Sequence, residues 1–144
     1  MNQSLKAAVY GLAVADALGV PYEFLTRGSF EAIEMVGYGS HQQPAGTWSD
    51  DPSLVLATCD SIREKGKIDP ADMQQRFKNW LFEGVYTPDG LTFDVGNATR
   101  EALTRGHGLS DEYSNGNGSL MRILPLGFTE ASPSDIEAIS SITH

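Results

Sequence analysis

Residues with the chemical means to act are concentrated in four short, glycine-rich stretches of this 144-residue chain. Gly46-Thr47-Trp48-Ser49-Asp50-Asp51-Pro52-Ser53 places a hydroxyl and two adjacent carboxylates at the start of a helix. Such oxygens suit Mg²⁺ or Mn²⁺, and consecutive residues of a non-helical turn can converge on one ion as they cannot within a helix. The same spacing also allows Asp51 to cap the helix while Asp50 is solvated, the commoner use of such an aspartate. Glu23 follows a helix end, between Tyr22 and Phe24. A carboxylate pressed against aromatic rings can have a raised pKa and serve as an acid or base, and the alternative is a surface glutamate. Asp94, ahead of Val95-Gly96-Asn97, either caps the next helix or holds an attacking water. Ser114-Asn115-Gly116-Asn117-Gly118-Ser119-Leu120-Met121-Arg122 leads into an apolar segment, so it reads as an anion cradle at a helix start or as a plain turn. It has neither the Gly-Lys-Ser/Thr of a phosphate-binding loop nor dinucleotide-fold glycine spacing. His41 and His107 lie in glycine-rich loops and read as solvent-exposed, and no Ser/His/Asp arrangement emerges.

Helices must position these loops. Between Ser4 and Leu18, Leu5, Ala8, Val9, Leu12, Ala13 and Ala17 recur at helical spacing, with Gly19 as the expected cap and Pro21 as a stop. Asp16 sits in that helix's last turn, where the dipole disfavours an anion, which implies a partner elsewhere. Asp51-Pro52, Asp69-Pro70 and Ser132-Pro133 each pair a capping side chain with a proline suited to the first helical position. The second helix runs towards Gly66 and the third, with Met73, Phe77, Trp80 and Leu81, towards Gly84. A fourth begins near Asn97 and reaches Gly106, a short fifth follows Gly118 and a sixth follows Pro133. Phe77, Trp80 and Phe82 read as core. Strand-period runs are absent, so the fold reads as mainly α.

Composition narrows the function classes. Nineteen acidic against ten basic residues leave a net charge of −9, a field that repels phosphate backbones and anionic lipid, so neither nucleic acid nor membrane is an expected partner. No stretch reaches the length of a spanning helix, and Met1 to Lys6 are polar, without a targeting pattern. The single Cys59 fits a reducing cytoplasm and reads as a small buried side chain.

Taken together, the four stretches resemble the ADP-ribosylglycohydrolase family. Ala15-Asp16-Ala17-Leu18-Gly19, then Glu23, is similar to the family's Gly-Asp-Ala-x-Gly element and its following glutamate. Ser49-Asp50-Asp51-Pro52 resembles the Thr-Asp-Asp-Thr metal loop. Asp94-Val95-Gly96-Asn97 matches Asp-(Ile/Val)-Gly-Asn, and Asn117-Gly118-Ser119-Leu120-Met121-Arg122 is similar to Asn-Gly-(Ser/Ala)-Met-Arg with one extra residue. Thr143-His144 looks like the start of a Thr-His element. The resemblance implies an all-α, orthogonal multi-helical fold, apparently truncated, with residues 1–144 as the amino-terminal part of a single domain. It implies Ser49, Asp50 and Asp51 as ligands of Mg²⁺ or Mn²⁺, with two ions in a complete site. Glu23 would orient or activate water, Asp94 would assist, and Asn115, Asn117, Gly118, Ser119 and Met121 would hold diphosphate and ribose. The implied reaction is hydrolysis of the glycosidic bond of ADP-ribose on modified proteins or small conjugates. Family members complete the metal site with a later Asp-x-Asp-Thr segment, so a complementary chain or a homo-oligomer is an expected partner. The competing expectations are a non-catalytic ADP-ribose-binding remnant and an acidic helical interaction protein without a ligand.

Overall fold

The computed structural model describes residues 3–144; Met1 and Asn2, part of the polar start noted above, lie outside the described residues. Five α-helices follow in chain order: α1 Gln3–Gly19, α2 Asp50–Lys65, α3 Pro70–Glu83, α4 Asn97–Arg105 and α5 Pro133–Ser140. Tight 3₁₀ turns occupy Val20–Tyr22, Gly39–His41 and Leu124–Phe128. Among the described residues the only β-type pairing is an isolated bridge between Tyr38 and Gln43, so the all-α expectation holds.

Local sequence explains most helix ends. Asp69 accepts a hydrogen bond from the Asp72 N–H at 3.1 Å, and Ser132 forms a reciprocal capping box with Asp135. Each such cap satisfies an N–H that the helix leaves unpaired, typically worth about 1 kcal/mol. Gly66, Gly84 and Gly106 end α2, α3 and α4 at φ of 66°, 70° and 83°, a conformation that costs glycine little.

Five expectations are corrected. Gly19 is no left-handed cap: its φ is −77°, and the chain continues directly into the Val20–Tyr22 turn. Asp51 does not cap α2, because the helix begins one residue earlier at Asp50, with Ser49 as its N-cap residue. The segment after Gly118 forms turns and the Leu124–Phe128 3₁₀ stretch instead of an α-helix, as Pro125 cannot donate to a ladder there. Phe82 is exposed, because it falls on the outer face of α3 while Phe77 and Trp80 are fully buried. Cys59 is only half-buried.

The core joins Leu54 and Ala57 of α2 to Met73, Phe77, Trp80 and Leu81 of α3, and to Leu103, Leu126, Ile139 and Ile142. Burying a large apolar side chain of this kind stabilises by roughly 1.5–3 kcal/mol. Arg76 of α3 ties the outer ends of the helices together: its Nε donates to Asp72 at 2.6 Å and its Nη2 to Glu64 at 2.7 Å. Helix α1 lies apart from this core. Only its Ala17 is buried, and Tyr10 and Val14 stand exposed beside an apolar groove of about 620 Å³ between α1 and α2.

Candidate functional site

The last turn of α1 and the first turn of α2 meet through Asp16 and Ser49. The Ser49 N–H donates to Asp16 Oδ2 at 2.6 Å and its hydroxyl donates to Asp16 Oδ1 at 2.7 Å. This is the partner that the position of Asp16 at a negative helix end required. Ser49 is the N-cap residue of α2, but its side chain makes no capping bond and is turned towards Asp16. Asp50 Oδ1 lies 3.4 Å from the same hydroxyl, so three side chains from two helix ends share one small volume.

Crowding of carboxylates sets the electrostatics. Asp50 is buried, and burial, followed by the charges of Asp51 and Asp94, pushes its pKa up to about 8. Burial, then Asp16 and Asp94, lifts Asp51 to about 6. Asp16 is also raised by burial, against the two hydrogen bonds from Ser49 that favour its charged form. Carboxylates shift upward when water is removed and like charges approach. Oxygen donors held in mutual repulsion fit a hard divalent cation, which would relieve the repulsion by neutralising it.

Next to this group stand Glu23, His41 and Asp94, the last close enough for its charge to act on Asp16, Asp50 and Asp51. His41 Nε2 is 2.6 Å from Glu23 Oε2 and 3.8 Å from Asp94 Oδ1. One potential ligand atom from each of the three lies within 4.8 Å of the others, so this set too has the spacing to hold a metal ion. Burial raises the Glu23 pKa, the hydrogen bond with His41 opposes that rise, and the charge of Asp94 adds to it. The sequence-based reading of His41 as solvent-exposed is therefore corrected: its side chain is 12% exposed, and its ring packs against Phe24 and Phe93 at centroid distances of 5.6 and 5.2 Å. Asp94 is no helix cap either, since Gly96 holds that position.

Backbone strain gathers around these residues. Phe24, Tyr38, Gln42 and Asp94 all have positive φ, at 62°, 71°, 56° and 52°. Residues other than glycine rarely adopt such values; each costs of order 1–3 kcal/mol and persists because the surroundings impose it.

The glycine-rich stretch takes a turn instead of a helix start. Asn117 O accepts the N–H groups of Leu120 at 2.8 Å and Met121 at 3.1 Å, which spends two of the donors expected for an anion. Asn115 and Asn117 are exposed, Ser119 is half-buried, and Met121 packs against the core. Gly118 has no room for a side chain, because a Cβ there would sit 2.6 Å from Thr99 Oγ1 and 2.8 Å from His144 Cε1. Thr99 lies in the first turns of α4, five residues after Asp94, so the loop is braced against the helix that Asp94 precedes. Arg122 does the bracing from behind. It is fully buried and donates to Thr143 Oγ1 at 2.8 Å and Ile139 O at 2.9 Å, and also to Gly118 O. Burial lowers its pKa to about 10.

An α-helical scaffold that crowds carboxylates from the end of α1, the start of α2 and the loops bearing Glu23 and Asp94 defines a protein with an acidic, cation-compatible centre. The family model described as ADP-ribosylglycohydrolase matches residues 2–144, and the chain belongs to that family. It is 37% identical to ADP-ribosylarginine hydrolase Tri1 of Pseudomonas putida over 96% of this chain and 41% of that protein. It is 35% identical to ADP-ribosyl-dinitrogen reductase glycohydrolase of Rhodospirillum rubrum, over 95% and 50% respectively. A solved ADP-ribosylglycohydrolase-related protein complex superposes with a TM-score of 0.75 at 37% identity, covering 95% of this chain and 47% of that one. The chain thus spans half or less of the length of these relatives. Among the described residues, no helix is long and apolar enough to cross a membrane.

Proposed function

We propose that residues 1–144 form the amino-terminal part of a single ADP-ribosylglycohydrolase domain whose centre hydrolyses the glycosidic bond of ADP-ribose on modified proteins or related conjugates. The observation that carries this reading is the convergence of Asp16, Asp50 and Asp51 beside Ser49, where burial first, and then neighbouring carboxylates with Asp94 among them, raise their pKa values. Ser49, Asp50 and Asp51 would hold Mg²⁺ or Mn²⁺. The ion, when bound, supplies positive charge that orients ribose hydroxyls and water. Cleavage at the anomeric carbon builds oxocarbenium-like charge, which the Glu23 and Asp94 carboxylates stabilise, while Glu23 accepts the proton of the attacking water. Asn115, Asn117, Gly118, Ser119 and Met121 would line the diphosphate and ribose. The name of the Pseudomonas relative favours an arginine acceptor, and the single half-buried Cys59 suits the cytoplasm.

The test is release of ADP-ribose from ADP-ribosylarginine, with activity expected to vanish on EDTA treatment and in Asp50→Ala. Turnover that survives the chelator rejects the metal role. A second reading is an ADP-ribose-binding module without turnover, with the exposed face of α1 covered by a complementary chain or a second copy. Calorimetry separates the two, because tight ADP-ribose binding without hydrolysis selects the second.

A further inference from the structure

We propose that His41 is the positioning residue of this centre: its imidazole holds the Glu23 carboxylate beside Asp94, and the loop from Gly37 to Ala45 is built as the mount for that ring. The proposal rests on the reading of Glu23 as part of the site. Glu23 itself lies just past the Val20–Tyr22 turn in extended backbone, at φ −56° and ψ 147°, followed by the strained Phe24. The grip comes from the other loop. His41 Nε2 bonds Glu23 Oε2 at 2.6 Å, and the neighbouring Ser40 hydroxyl donates to the Glu23 carbonyl, so side chain and backbone are held together.

The mount is over-determined. Gly39 has a φ of 50°, and a Cβ there would collide with the Pro21 backbone, so the loop seats directly on the turn that precedes Glu23. A Cβ at Gly37 would lie 2.6 Å from Ala45 N, which closes the loop's two ends on each other. Within it, the Tyr38 N–H donates to Gln43 O at 2.5 Å and Gln42 Nε2 to Gly39 O at 2.6 Å. Phe24 and Phe93 flank the ring and leave its edge directed at the two carboxylates. Two carboxylates this close repel each other, and a donor between them offsets that repulsion.

Long-range ¹H–¹⁵N spectra of the whole chain, with no substrate present, test the contact. Glu23→Gln is expected to move the His41 ring signals, whereas Asp111→Asn at a remote exposed position leaves them in place. Kinetics test its role: His41→Ala is expected to lower kcat at least tenfold with KM within twofold, and His41→Gln, whose amide can replace the Nε2 donor, to recover most of the loss at an unchanged melting temperature. Ring signals indifferent to Glu23→Gln overturn the proposal, as do equal losses in His41→Ala and His41→Gln. If the unmodified chain shows no turnover, the hydrolase reading fails while the spectra still decide the role of His41.

Discussion

In the absence of divalent cations, Asp50→Asn is expected to make the chain melt higher at pH 8. Asp50 titrates near 8 in the folded chain against an ordinary value of 3.8. A carboxyl raised in this way contributes its stability fully below its unfolded pKa and loses it as the pH climbs through its folded value. At pH 7 the cost of keeping it folded is 1.36 × (7 − 3.8), about 4 kcal/mol. Asparagine does not titrate, but its amide must find new partners in the same pocket, which returns about 1–3 kcal/mol of that gain. The net gain, about 1–3 kcal/mol at pH 7 and larger at pH 8, corresponds to roughly 3–9 °C for a domain of this size. The assay is thermal unfolding in EDTA from pH 5 to pH 8, repeated with Mn²⁺. The wild-type melting temperature should fall towards pH 8 in EDTA and recover with Mn²⁺, by about 2.7 kcal/mol at a hundredfold excess over the dissociation constant. The variant should show a flatter profile and little response to the ion. An Asp50→Asn chain that melts below wild type at pH 8 in EDTA, or keeps the wild-type pH dependence, refutes the repulsion argument.

Other substitutions probe the frame of the site. Asp16→Asn replaces an acceptor of two Ser49 bonds by a group with one acceptor oxygen, so Mn²⁺ affinity measured by calorimetry is expected to fall at least tenfold while the fold persists. Arg122→Ala leaves the carbonyls of Gly118 and Ile139 without their charged donor and should destabilise by about 3 kcal/mol or more in urea unfolding; Arg122→Lys should recover only part, for want of the guanidinium fork. Phe77→Ala, in the packed centre between α2, α3 and Arg122, is expected to cost about 3–5 kcal/mol, and a loss under 1 kcal/mol would contradict its full burial.

How much was legible depended on the range of the force. The caps of α3 and α5 and the glycine ends of α2, α3 and α4 were readable because a cap is a bond between residues about three apart. The carboxylate-bearing stretches were readable from residue type, and Asp16 betrayed itself by an unfavourable place on its own helix. The start of α2 differs from its local signal: Asp51-Pro52 satisfies every local rule for a cap, yet the helix begins at Asp50, after a Ser49 that is bonded to Asp16, thirty-three residues away.

The sequence by itself determined the helical class, most helix boundaries and which residues carry oxygen ligands, since these follow from backbone conformation and side-chain chemistry one turn at a time. Tertiary structure alone decided that His41 is enclosed rather than solvated, that it faces Glu23 and Asp94 across gaps of 18 and 53 residues, and that Asp50 loses its water. The physical reason is that desolvation and mutual charge repulsion belong to groups brought together by packing, and no local pattern in the chain records which distant group will be the neighbour.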